Sequence, residues 1–162
     1  MNKQEIKHLR IIRIWLGLFM LGLALSGITA FPLETELNWL ASMFDDPTSK
    51  LAQWIDTCRD GVVYVNAEYP FLSYGTDWLA FAHLVLALVF VGPWMNPVKN
   101  IWVIRFGIMA CFGIFPLAFI MGSIRSIPFY WQLIDCSFGV FGSIPLFISL
   151  YHTKQLETTS KM

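Results

Sequence analysis

Charge is scarce in this chain. Asp, Glu, Lys and Arg make up 14% of its 162 residues, where a soluble domain carries about 25%. The formal net charge is zero. The one basic tract, KQEIKHLRIIR at 3–13, most simply anchors a helix and meets anionic head groups, so nucleic acid is not an expected partner. Motifs of soluble enzymes are missing too: there is no glycine-rich phosphate loop, no CxxC, no HExxH and no GxSxG. The expectation is a non-enzymatic protein without a bound metal. Three cysteines are too few for a disulfide framework. Cys111 reads as a small apolar packing residue. Cys58 and Cys136 can bridge only if the loop carrying Cys58 folds down onto the helix ends, and that pairing stays open.

What the chain has in place of charge is apolar residues, 56% in all, and they lie in long runs. Residues 14–31, 78–96 and 106–124 contain no Asp, Glu, Lys or Arg, and 136–151 follows the lone Asp135. Each run approaches the roughly 20 residues that cross about 30 Å of hydrocarbon as a helix. The expected fold is an all-α membrane protein with a single integral membrane domain, 1–162. Its transmembrane helices lie at about 12–31, 77–95, 101–124 and 128–151, with an external loop at 32–76. The turns GPWMNPVKN and GSIRSIP are short, which makes the last three helices antiparallel neighbours and the whole an up-down-up-down four-helix bundle. Pro116 is expected to kink the third helix.

Charge is also partitioned. Residues 1–13, 96–105 and 152–162 hold Lys3, Lys7, Arg10, Arg13, Lys99, Arg105, Lys154 and Lys161 against only Glu5 and Glu157. The remaining connections keep Lys50, Arg59 and Arg125 against nine acidic residues, Asp135 included. Basic excess in short loops sets orientation, so both termini are expected in the cytoplasm, across the plasma (inner) membrane if the source is bacterial. The first apolar run exceeds a signal-peptide core of about 7–15 residues, and Thr29-Ala30 followed by Phe31-Pro32 is a poor cleavage context. An uncleaved first helix is the reading.

The external loop has a pattern of its own. In LETELNWLASMF, Leu33, Leu37, Leu40 and Phe44 recur at helical spacing. A second segment starts with Asp46 as a cap and Pro47 at the first helical position, then places Leu51, Trp54, Ile55 and Cys58 on one face. These read as two short amphipathic helices on the membrane surface or as a lid on the helix ends. GVVYVNAEYPFLSYGTD, 61–77, reads as irregular. Small residues at helical spacing mark faces that meet: Gly22, Ser26 and Ala30; Gly107, Cys111, Ala118 and Gly122; Asp135, Gly139, Gly142 and Ser143.

An ionised group in hydrocarbon is costly and normally faces a partner. In IPFYWQLIDCSFGVFGSIPLF, Asp135 stands among apolar residues, about 9–10 Å below its helix start, and His83 lies at matching depth. Ser26, Thr29, Ser123 and Arg125 come from the other two helices toward the same outer layer, and Asp77 begins the second helix. His83, Asp135, Arg125, Asp77, Ser26 and Ser123 are therefore the site candidates. One reading is structural, with Arg125 paired to Asp135 across the short turn. A second is a ligand or proton site, in which His83 and Asp135 titrate beneath the loop.

A third is redox. RIIRIWLGLFMLGLALSG, 10–27, resembles the first helix of respiratory cytochrome b subunits, and the resemblance implies haem held between histidines on facing helices. His83 is the only intramembrane histidine, so bis-histidine ligation is excluded. A His83–Met121 pair could still hold haem. Quinone would need only His83, a carboxylate and aromatic walls such as Phe129, Tyr130 and Trp131. The expected function is a non-enzymatic subunit of a membrane complex, or a small-ligand-binding membrane protein with an outer-leaflet polar site. The alternative is a redox subunit binding quinone or haem. Expected partners are the lipid bilayer and other proteins of a membrane complex.

Overall fold

The computed structural model describes residues 3–44 and 46–159. Of these, 88% are helical and none is in a strand. Helix α1 is Lys3–Ala30, α2 Leu33–Met43, α3 Lys50–Glu68, α4 Pro70–Val89, α5 Val91–Met95, α6 Ile101–Ile124 and α7 Phe129–Thr159. Four stretches are long and apolar enough to cross a membrane: Lys3–Ala30, Pro70–Met95, Ile101–Ile124 and Phe129–Thr159. Only 17% to 28% of their most apolar windows is buried within the chain. Exposed Leu18, Leu25, Phe112, Phe138 and Phe141 would form an untenable surface in water, and they are the surface a lipid-facing helix needs. The chain is an integral, multi-pass membrane protein.

It divides into two compact units, one of Met1–Gly22 with Ala87–Met162 and the other of Leu23–Leu86. In the first, Ile12, Leu16, Phe90, Ile104 and Leu146 are almost fully buried. Helices α6 and α7 pair in opposite chain directions, and small residues set their spacing. A Cβ on Gly139 would stand 2.6 Å from the Cys111 carbonyl oxygen, and one on Gly107 would meet Leu146 at 2.9 Å. The expected stripes on these helices are therefore where they touch: Gly107, Cys111, Gly122 and Gly139 are buried.

Helix α6 has the expected limits, and α7 is longer than expected. The tail after 151 continues as helix to Thr159, and its hydroxyls bond back four residues, Thr153 to the Ser149 carbonyl and Thr158 to that of Lys154. At about 1.5 Å per residue such a helix outruns a bilayer of about 30 Å. Its end is tied to the start of α1, where His8 and His152 face each other, Nδ1 to Nδ1 at 2.8 Å. Arg13 and Trp94 also lock reciprocally. The Trp94 indole donates to the Arg13 carbonyl at 3.1 Å and Arg13 Nε to the Trp94 carbonyl at 3.3 Å.

The second unit departs more from expectation. Helices α2 and α3 do occupy the loop, but Ser49, not Asp46, caps α3, its hydroxyl accepting from the Ala52 N–H. Asp46 instead closes a turn on the Thr48 N–H and hydroxyl, at 2.9 and 2.7 Å. These bonds hold its carboxyl below the usual value, and Pro47 falls inside that turn. Residues 61–77, expected to be irregular, are helical except for Tyr69. Pro70 sits at the first helical position, where its missing N–H costs nothing, so α4 follows α3 directly. In α1 the expected stripe is not the contact. Gly22 and Ser26 are exposed, and the close approach is at Gly27, where a Cβ would stand 2.7 Å from the Ala80 carbonyl oxygen.

Candidate functional site

A cavity of about 710 Å³ opens within the second unit. Phe31 and Pro32, just past α1, form one end, and Leu33 and Leu37 of α2 form one wall. Trp54, Cys58, Gly61, Val62 and Val65 of α3 form another, and Leu72, Ser73 and Thr76 of α4 close it. The site is an open groove whose lining residues are all exposed or half-buried; its volume, and its mixture of apolar walls with a few polar groups, are those of a small-molecule site.

Those polar groups form a chain. The Asn66 amide donates to a Glu34 carboxylate oxygen, and the Ser73 hydroxyl donates to the Asn66 carbonyl oxygen. A carboxylate only accepts, which fixes the amide's orientation. Each member is placed by local structure. Glu34 is in the first turn of α2, where the helix dipole favours an acid. Asn66 is in the last turn of α3 and Ser73 in the first turn of α4, so the direct handover at Tyr69 brings them together. Cys58 stands in the wall as a free thiol, and burial pushes its pKa up from the ordinary value.

The residues singled out in the sequence lie elsewhere. Ser26, Asp77 and His83 belong to the same unit but are outside the lining of this cavity. His83 packs beside Gly27, and its Nδ1 lies 2.8 Å from the Leu79 carbonyl oxygen, one helical turn back. Ser123, Arg125, Asp135 and Met121 belong to the other unit. There, Arg125 does not pair with Asp135. An ion pair forms instead on α3, where Arg59 meets Asp56 at 2.8 Å and Asp60 at 2.9 Å.

The reason lies in the turn between α6 and α7. Arg125 is the exposed C-cap of α6, followed by Ser126 at φ 58°. The Ile127 N–H bonds to the Gly122 carbonyl and the Ser126 N–H to that of Ser123, which is a Schellman closure. The polar side chain securing this turn is Gln132, whose amide donates to the Ile127 carbonyl at 2.8 Å against the bare backbone of Gly122. Gln132 was hidden in the sequence because an uncharged amide near a helix start carries no signal. Asn66 was hidden because its segment read as irregular. Met121 and His83 keep their place as haem-ligand candidates by residue type alone. The chain matches no known family model, no curated protein and no solved structure.

Proposed function

We propose that this is a non-enzymatic, multi-pass membrane protein that takes up a small amphiphilic ligand in the cavity walled by α2, α3 and the start of α4. The observation that carries the reading is the cavity itself, apolar along its walls and equipped with one hydrogen-bonded polar chain. Its position in the sequence supports access from the bilayer. Phe31 directly follows the spanning helix α1, and Leu72 and Thr76 open the next spanning stretch. The basic excess on residues 1–13, 96–105 and 152–162 supports cytoplasmic termini, an up-down-up-down order of the four spans, and an external cavity lidded by α2 and α3 as amphipathic helices.

Purification in mild detergent, followed by lipid extraction and an absorption spectrum, tests the reading. Gly61 lines the cavity, and no atom lies within 4 Å of where its Cβ would be. Gly61→Phe should therefore occupy the space without disturbing the helix packing. A co-purifying amphiphile that disappears in Gly61→Phe, at unchanged melting temperature, supports the function. Equal retention by both proteins refutes it. Quinone in the extract or a haem band in the spectrum would assign the redox role instead.

A further inference from the structure

The single charge in the cavity, together with its hydrogen bonds, points to the chemistry of its ligand. The Ser73 hydroxyl proton goes to Asn66, and one Asn66 N–H goes to Glu34. The Glu34 carboxylate and the Ser73 oxygen remain as acceptors on the cavity. Donors line it as well: the second Asn66 N–H, the Trp54 indole N–H and the Thr35 and Thr76 hydroxyls. The Thr57 hydroxyl, also in the wall, is spent on the Gln53 carbonyl at 2.7 Å. Glu34 carries the only formal charge among the described residues of the lining. The nearby cation on α3, Arg59, is held by Asp56 and Asp60.

A site whose one formal charge is a carboxylate among largely apolar walls wants a cation that donates hydrogen bonds to it. We infer that the ligand is a lipophilic ammonium: an alkyl or ring-bearing amine drawn from the bilayer, its N–H groups on Glu34 and Ser73 and its apolar body against Trp54, Leu37 and Val62. This rests on the reading of the cavity as a ligand site. Anionic and zwitterionic phosphates are disfavoured, because the described lining offers no basic side chain to receive the phosphate beside Glu34. A quaternary ammonium is disfavoured because it has no N–H for a carboxylate to accept, and charge-assisted hydrogen bonds are about twice as strong as neutral ones.

The test uses the full chain in non-ionic detergent and reads protection of Cys58 from a maleimide, located by peptide mass. The probes share one chain length: decylammonium, decanol, decyltrimethylammonium and decanoate. Decylammonium should protect at about tenfold or more lower concentration than decanol, with decanoate weakest, and Glu34→Gln should erase the advantage over decanol. The comparison of probes on the unaltered protein stands even if that variant fails to fold. Equal protection by decylammonium and decanol overturns the amine assignment and leaves the cavity as an amphiphile site. Protection by no probe, with Cys58 still reactive, overturns both.

Discussion

Gly139→Ala puts the packing of α6 on α7 to a quantitative test. The added Cβ would stand 2.6 Å from the Cys111 carbonyl oxygen, and ordinary contact begins at 3.4 Å. The two helices must therefore separate locally by about 0.8 Å, because a backbone carbonyl cannot rotate aside as a side chain can. Overpacking of a close contact costs about 1–3 kcal/mol, and an immovable partner places this case in the upper part of that range. Replacing a helical glycine with alanine returns about 0.5–1 kcal/mol. The net loss is about 1–2 kcal/mol, or about 2–8 °C in melting temperature for a chain of this size.

Gly113→Ala is the reference, since no atom lies within 4 Å of its Cβ position. It gains the same helix propensity without a clash, so the difference between the two variants isolates the contact at about 2–3 kcal/mol. Gly142→Ala should fall between them, as its Cβ would meet the movable Cys111 Sγ at 3.3 Å. Thermal unfolding of the three variants in one detergent, followed by intrinsic fluorescence, gives the ranking. If Gly139→Ala melts with Gly113→Ala, the close approach of α6 and α7 has been misjudged.

Three other outcomes follow from single residues. Ser126 holds a left-handed conformation at φ 58°, so Ser126→Gly should raise stability by about 0.5–1 kcal/mol in the same melt; a fall would mean that the serine side chain contributes more than its backbone costs. Arg125 is exposed and makes no ion pair with Asp135, so Arg125→Leu should leave stability within about 0.5 kcal/mol of the parent in the same melt; a larger loss would restore the ion pair with Asp135. Burial raises the Cys58 pKa, and maleimide attacks the thiolate. Its labelling at neutral pH should therefore lag behind that of an exposed thiol and climb through a midpoint displaced to higher pH, whereas a midpoint at or below the ordinary value would show an unburied thiol.

Much of the architecture was legible in the sequence, for a simple reason. A helix in lipid satisfies its own backbone hydrogen bonds and needs only an unbroken apolar run of sufficient length, so local composition located all four spanning helices and placed α6 at its observed limits. Close approach was legible where small residues recur every three or four positions, as on α6 and α7. The same rule failed on α1. Glycine, serine and alanine at positions 22, 26 and 30 had the spacing, but Gly27 faces Ala80, because which face turns inward depends on the neighbouring helix.

The turns and the cavity lay beyond local reading. Residues 61–77 carry aromatic, glycine and proline signals that argue against helix one by one. They are helical because Pro70 can begin α4 and because Asn66 is held from both sides. Asp135 drew attention because a charge in an apolar run is conspicuous, yet Gln132, one helical turn earlier, holds the turn that Arg125 and Asp135 were expected to close. Glu34, Asn66 and Ser73 are separated by 32 and 7 residues, and no periodicity links them. A hydrogen bond between distant residues depends on where two helix ends come to rest, and that is decided by packing. Apolar length, written locally, determined that this chain crosses a membrane; the meeting of α2, α3 and α4, which only the tertiary structure decides, created the cavity and the direction of the hydrogen bonds within it.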